Sequence, residues 1–450
     1  MLFTLTLRDR DGHETRARYN PHTSQSEGLP IGPAAEARTW ADVPKTSKDA
    51  PLGKSRAIRR LKIQMGLACN YGCSYCSQAT QIVEATVSTL GDVETFLTGL
   101  DSWLDGAPDD IELWGGEPFV YWAKIKRLIP ALAERYPAAR FSIITNGSLF
   151  DREKLDFIAA YDITITISHD GPGQHLRGPD PLAHPERRRW IEALLAERPH
   201  ATGFNAVLTA AHHDLEALRG WFDDQLGADV PVSLEGVVNT YDAATALGTG
   251  RFGPSELSSL TASLFKALAR DPDAFGLGGR MDEFIASLQQ NRPLTSLFQK
   301  CGMDRAQDIA VDLKGNVMTC QNTGAKGAHR IGHVSAFDDI RLDTSTHFAH
   351  RSECMSCPVV QLCKGSCMFL DGALFEQNCA NEFAFNFGIL RAALWHLTGC
   401  LLVGVEAETA SADTGTATGN PQASPHTPRR AAPLERIKAD TLEKPYPDVE

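Results

Sequence analysis

From Arg59 onward, short apolar runs alternate with amphipathic helical patterns, and this rhythm restricts the possible folds more than any other feature of the chain. Strand patterns fall at residues 61–67, 110–114, 141–145, 163–168, 203–208 and 232–238. Helical patterns fall between them at 122–135, 152–160, 185–197 and 214–225. Successive strands separated by helices pair in parallel, so the pattern predicts an α/β fold with a parallel sheet, open or rolled into a partial barrel. The ligand sites of such folds lie at the carboxyl ends of the strands.

The 450 residues leave room for more than one core. Residues 1–58 open with an alternating stretch, 2–18, that predicts a hairpin, and then become an irregular linker rich in Pro, Gly, Ser and Ala. Residues 255–298 read as helical, with breaks near Asp271 and Pro272. An apolar helix is expected over 383–403, where Arg391, His396 and Gly399 argue for packing on protein rather than lipid. The last residues, rich in Thr, Ala, Pro, Ser and charge, are expected to be a disordered tail. The resulting division is an accessory segment 1–58, a core 59–250, a helical linker 251–300, a cysteine-rich unit 301–400 and a tail 401–450.

A net charge of -12 disfavours a polyanion, because nucleic-acid affinity rests on Lys and Arg contacts to phosphate. No apolar run is long enough to cross a bilayer, and Met1 to Arg8 lack the layout of a signal peptide. A cytoplasmic protein with no nucleic-acid or membrane partner is expected. The eleven cysteines cluster at short gaps, unlike a secreted disulfide framework, and read as metal ligands.

Cys69-Asn70-Tyr71-Gly72-Cys73-Ser74-Tyr75-Cys76 directly follows the first core strand. Three thiolates there can hold three irons of a cubane cluster and leave a fourth iron open for a ligand. Zinc also suits such gaps, but it needs a fourth ligand and the loop offers no His. Trp114-Gly115-Gly116-Glu117-Pro118 ends the next strand. Taken alone it is an ordinary strand-to-turn ending; beside a ligand, its glycines allow close backbone approach, and its carboxylate and backbone oxygens can accept from an ammonium group. Thr145-Asn146-Gly147 and Ser168-His169-Asp170-Gly171 end the following two strands, making Asn146 and Ser168 candidates for a ribose or carboxylate. His169 reads as a strand residue facing away from the site, and Arg177 as either a loop salt bridge or a carboxylate contact. Asn205 and Leu208 stand on the strand that would flank a nucleoside. Downstream come Cys301, Cys320, Cys354, Cys357, Cys363, Cys367 and Cys379, for which a pair of zinc knuckles is the alternative reading.

The CxxxCxxC loop with its aromatic Tyr75, the GGEP motif and the seven downstream cysteines together resemble the radical S-adenosylmethionine (SAM) enzymes with a C-terminal SPASM domain, over residues 59 to 390. The resemblance implies a partial (β/α)6 TIM-like barrel followed by a small cysteine-rich SPASM domain. It implies a 4Fe-4S cluster on Cys69, Cys73 and Cys76. S-adenosylmethionine is then bound by Tyr75, Gly115, Gly116, Glu117, Asn146, Ser168 and Arg177. It further implies one auxiliary 4Fe-4S cluster on Cys354, Cys357, Cys363 and Cys379, and a second on Cys301, Cys320 and Cys367. The fourth ligand of that second cluster is left open among Asp304, another side chain, Cys400 and the substrate, although Cys400 is more simply a buried thiol.

Similar enzymes mostly modify peptides or proteins, so the resemblance implies a peptide or protein substrate and an electron donor such as flavodoxin or ferredoxin. Residues 1–58 are too short and irregular for the winged-helix leader-binding unit of many such relatives. Gln321 stands where anaerobic sulfatase maturases carry a proposed base Asp, which disfavours that branch. Two other functions stay open: a radical enzyme acting on a small molecule, and a zinc-binding interaction scaffold.

Overall fold

The structure is a computed structural model and describes residues 1–32, 38–239, 241 and 248–408. Its core is a nine-stranded sheet in the order β12-β11-β10-β4-β5-β6-β7-β8-β9. Six neighbouring strands, β4 (Arg60–Gln64), β5 (Asp110–Trp114), β6 (Arg140–Thr145), β7 (Thr164–Ser168), β8 (Thr202–Leu208) and β9 (Val232–Val237), run parallel in chain order. That is the expected (β/α)6 succession, and it forms an open sheet rather than a closed barrel.

Alternation along the strands divides the sheet into two faces. Ile111, Leu113, Phe141, Ile143, Ile165 and Ile167 are buried and share one core with Ile125, Leu128, Leu132, Leu155, Ile158, Ile191 and Leu194 of the crossover helices. The register pairs Lys62 with Glu112, Glu112 with Ser142, Ser168 with Asn205 and Asn205 with Ser233, so the opposite face is polar. A parallel sheet covered on both faces reads as a nearly unbroken apolar run. Here one face is polar instead, and Lys62 Nζ lies 3.0 Å from Glu112 Oε2 on it.

The cysteine-rich unit does not begin as a separate body. β10 (Asp308–Asp312) pairs in parallel with β4 and extends the core sheet, followed by β11 (Asn316–Met318) and β12 (Arg330–His333), both antiparallel. Gly315, at φ +84°, turns β10 into β11, and a Cβ there would stand 2.6 Å from Val334 Cγ2.

The helical linker breaks where expected, giving helices Pro254–Arg270 and Gly278–Gln289. The apolar helix runs over Gly372–Thr398, starting and ending earlier than the sequence predicts. It lies on helix Pro254–Arg270: Thr261 Oγ1 donates to Ala384 O at 2.9 Å, and a Cβ on Gly388 would meet Leu264 Cβ at 2.6 Å. Arg391 is buried over the Phe265 ring, and burial pulls its guanidinium down to about 10. Among the described residues no helix is long and apolar enough to cross a membrane.

Two expectations about the ends of the chain need correction. The sequence pattern predicts a tail from 401, yet β13 (Leu401–Ala407) is a strand that pairs antiparallel with β1 (Phe3–Arg8). The helix stops at Gly399, whose left-handed φ of +68° reverses the chain and lets Leu401 and Leu402 bury. β2 (Glu14–Asn20) and β3 (Gln25–Glu27) complete a four-stranded sheet. The segment read as a loose linker is also fastened: Lys54 Nζ donates to the carbonyls of Met303, Arg305 and Asp308, and Thr46 Oγ1 to Leu342 O. The rest of the expected tail, residues 409–450, lies outside the described residues.

Candidate active site and cysteine centres

The loop that carries Cys69, Cys73 and Cys76 leaves the carboxyl end of β4 and is clamped from three sides. On the first side, Gly116 N donates to Gly66 O and Glu117 N to Ala68 O, both at 3.0 Å. Contact is so close that a Cβ on Gly115 would lie 2.5 Å from Gly66 O, and one on Gly116 would lie 2.4 Å from Ala68 O and 2.5 Å from Leu67 O. In this structure the two glycines are required by the neighbouring backbone, before any ligand is considered. Replacing Gly116 with Ala is expected to cost about 3 kcal/mol, since the obstructing atoms are main chain and cannot rotate away. Urea denaturation measures the loss, and iron content on the N-terminal loop should fall with it.

The second side is a ring of amides. Asn146 Nδ2 donates to Asn70 Oδ1 at 2.8 Å, Asn70 Nδ2 donates to Ser148 Oγ at 2.8 Å, and Ser148 Oγ returns a bond to Asn146 Oδ1 at 2.6 Å. Asn146 therefore braces the residue next to Cys69. Glu117 is buried and satisfied by its own chain: Oε1 accepts from Thr145 Oγ1 at 2.8 Å and Phe119 N at 3.0 Å, and Oε2 from Asn146 N at 2.7 Å. Burial pushes its carboxyl above the usual range, against the downward pull of these donors. One lone pair of Oε2 is left for a further donor.

The third side is an ionic cluster that the motifs do not reveal. Tyr75, between Cys73 and Cys76, donates its hydroxyl to Asp170 Oδ2. Arg177 Nη1 lies 3.0 Å from the Tyr75 hydroxyl and 3.3 Å from Asp170 Oδ1, which also accepts from Val207 N at 2.9 Å. Although burial lowers it, the Arg177 guanidinium is held above its ordinary value by Asp170 and Tyr75. Its Nε is buried with no partner, a free donor suited to a carboxylate. Asp170 is thus the residue that sequence reasoning passes over, and its place in the Ser168–Gly171 motif is the only signal that points to it.

His169 faces the outer core as expected. It is fully buried, stacked on Trp221 at 4.8 Å, and bonded through Nε2 to Asp180 Oδ1 at 3.0 Å. Ser168 stands half-buried on the polar face, in register with Asn205, whose Nδ2 lies 3.1 Å from Glu235 Oε2. Leu208 is buried in the core rather than on that face.

The downstream cysteines gather in two places. Cys354, Cys357, Cys363 and Cys379 line one small cavity beside Phe375 and Phe383. Cys320 follows β11 and is carried to the mouth of the sheet: Gln64 Nε2 donates to Gln321 O at 2.8 Å, Trp114 Nε1 to Asn322 Oδ1 at 3.0 Å, and Gly324 N to Gln81 Oε1 at 3.0 Å. Cys367 and Cys301 are within electrostatic reach of Cys320. Cys400 lies past the end of helix Gly372–Thr398, not on it, with its thiol 3.5 Å from Thr398 O.

These donors suit iron-sulfur clusters. All eleven cysteines are free thiols. Burial pushes Cys73, Cys320 and Cys363 up to about 11 and Cys379 up to about 12, so a metal is needed to hold them as thiolates at neutral pH. Among the described residues, no three cysteine sulfurs lie within 4.8 Å of one another. Ligands about 2.3 Å from a single zinc would sit closer together than that, whereas those of a cubane bind separate irons.

Residues 63–208 match the model of the radical SAM superfamily. A radical SAM cyclopropyl synthase, TigE of Paramaledivibacter caminithermalis, is 24% identical over 173 residues, covering 34% of this chain and 36% of that protein. The chain therefore matches only about a third of that relative's length. Among solved structures, native anSMEcpe with bound AdoMet and the Cp18Cys peptide superposes with a TM-score of 0.53 at 17% identity, covering 74% of this chain and 99% of the other. Native anSMEcpe with bound AdoMet alone gives 0.51, at the same identity and coverage. Residues 63–208 are thus a radical SAM domain.

Proposed function

We propose that this protein is a radical SAM/SPASM oxidoreductase that takes hydrogen from a peptide or protein substrate, forming a crosslink or oxidising a side chain. The observation that carries this reading is the placement of Cys320 and its hairpin directly over the mouth of the sheet where the Cys69–Cys76 loop emerges. A cluster bound there would lie beside the substrate. The fold is shared with anSMEcpe, whose structure holds AdoMet and a peptide, and that supports a peptide substrate.

Cys69, Cys73 and Cys76 would hold a cluster that, once reduced by a donor such as flavodoxin or ferredoxin, would supply the electron for cleaving S-adenosylmethionine to methionine and a 5'-deoxyadenosyl radical. The chain's own part is to position and to exclude water. Arg177 offers Nε to the methionyl carboxylate, and the free lone pair of Glu117 and the Gly115 and Gly116 carbonyls offer acceptors to its ammonium. Ser168 offers its hydroxyl to the ribose. Asn146 and Asp170 are positioning residues, holding the loop through Asn70 and Tyr75. Cys354, Cys357, Cys363 and Cys379 would hold one auxiliary cluster, and Cys301, Cys320 and Cys367 another, as acceptors for the substrate electron or as a substrate contact.

The test is anaerobic purification followed by reduction in the presence of S-adenosylmethionine. A brown protein releasing 5'-deoxyadenosine and methionine is expected, and precursor peptides encoded beside its gene should change mass. Colourless protein with stoichiometric zinc would overturn the reading. Replacing Cys357 or Cys363 with Ala is expected to reduce product formation at least tenfold while cofactor cleavage falls far less, since cleavage requires only the N-terminal loop. Parallel assays of 5'-deoxyadenosine and product on soluble variants of known iron content check this.

A further inference from the structure

We propose that Tyr241 is the fourth protein ligand of the auxiliary cluster held by Cys301, Cys320 and Cys367, binding iron through its phenolate oxygen. This rests on the reading of those three cysteines as one ligand set. Three thiolates leave one iron of a cubane without a protein ligand. Tyr241 reaches this place from beyond the end of β9 in the core sheet: its hydroxyl is hydrogen-bonded to the Cys367 thiol and lies within electrostatic reach of Cys320 and Cys301. No other cysteine competes, since Cys400 lies against Thr398 beside β13.

The ring is held in place as a ligand has to be. Tyr241 stacks on Phe369, two residues beyond Cys367, with centroids 5.0 Å apart and planes 22° apart, and Phe369 is braced by His329 at 4.7 Å. Asp304, the carboxylate next in line, leaves Oδ1 buried without a partner but holds its other oxygen in bonds elsewhere. Its Oδ2 accepts from Gln299 N at 3.0 Å and faces His347 Nε2 at 3.7 Å, and of the three thiols Cys301 is the one it neighbours.

Tyrosine oxygen is an established ligand for protein-bound iron. On binding, the phenol O–H bond breaks, its proton passes to solvent and an O–Fe bond forms, with no change in the oxidation state of iron. An oxygen ligand in place of a fourth thiolate would tune the potential of the cluster and tie it to the core sheet, because Tyr241 follows β9 while the cysteines belong to the downstream unit.

The experiment uses the full chain reconstituted anaerobically with iron and sulfide. Resonance Raman spectra of the wild-type protein are expected to show iron-enhanced phenolate modes, absent from Tyr241→Phe and Tyr241→Cys. Tyr241→Phe should lose about one iron per chain, and Tyr241→Cys should restore it. Wild-type protein without phenolate modes, or Tyr241→Phe with unchanged iron and spectrum, overturns the assignment, as does iron loss in Asp304→Asn but not in Tyr241→Phe. Cys367→Ala separates the two levels: if it too keeps wild-type iron, the cluster reading itself fails and the ligand proposal falls with it. If Cys367→Ala loses a cluster while the Tyr241 variants lose nothing, only the Tyr241 assignment is wrong.

Discussion

Replacing Cys69, Cys73 and Cys76 together with Ala should remove about four irons per chain and abolish reductive cleavage of S-adenosylmethionine. The three thiols are the only cysteines on the loop that emerges from β4, and Cys73 is in electrostatic contact with the other two. The loop is held independently of them by Asn146, Tyr75 and the main chain of Gly116 and Glu117, so the fold should survive the loss. Iron analysis and chromatographic detection of 5'-deoxyadenosine measure the two effects. Residual cleavage at more than a hundredth of the wild-type rate would show that the radical chemistry has been placed on the wrong residues.

The second large effect concerns Asp170. Its carboxylate is almost fully buried and compensates the buried Arg177, while accepting from Val207 N and Tyr75. Asp170→Asn removes the charge and leaves the guanidinium unpaired in the interior, which is expected to cost about 3–5 kcal/mol. Removing both charges, in Asp170→Asn/Arg177→Met, should be less damaging than the sum of the single changes, because no isolated charge then remains. Urea denaturation of the three variants forms the cycle. Strict additivity would mean that the pair does not interact as its geometry implies. A cluster on the N-terminal loop should also become labile in Asp170→Asn, since one of the two oxygens that accept from Tyr75 and Val207 N becomes an amide nitrogen.

The two groups of downstream cysteines differ in how legible they are. Cys354, Cys357, Cys363 and Cys379 are close in sequence, apart from the last, and they meet in one cavity. The other group draws on Cys301, Cys320 and Cys367, separated by long stretches of chain, and its neighbour Tyr241 precedes them by 60 residues. Spacing carries no signal for such a residue, because only the packing of distant segments brings it to the thiols.

The order of strands and crossover helices, the place of the cysteine loop at a strand's carboxyl end and the glycines of its neighbour were readable from residues alone. Each depends on periodicity or on contact between consecutive units. Tertiary structure alone decided that Glu117 and Asn146 spend most of their hydrogen bonds on bracing the loop, that Asp170 anchors Tyr75, that β10 joins the core sheet and that Leu401–Ala407 pairs with the first strand. A buried polar group must find a partner wherever the fold places one, and a strand edge pairs with whatever strand arrives beside it. Those partners lie tens to hundreds of residues away, where the local pattern of a sequence carries no information about them.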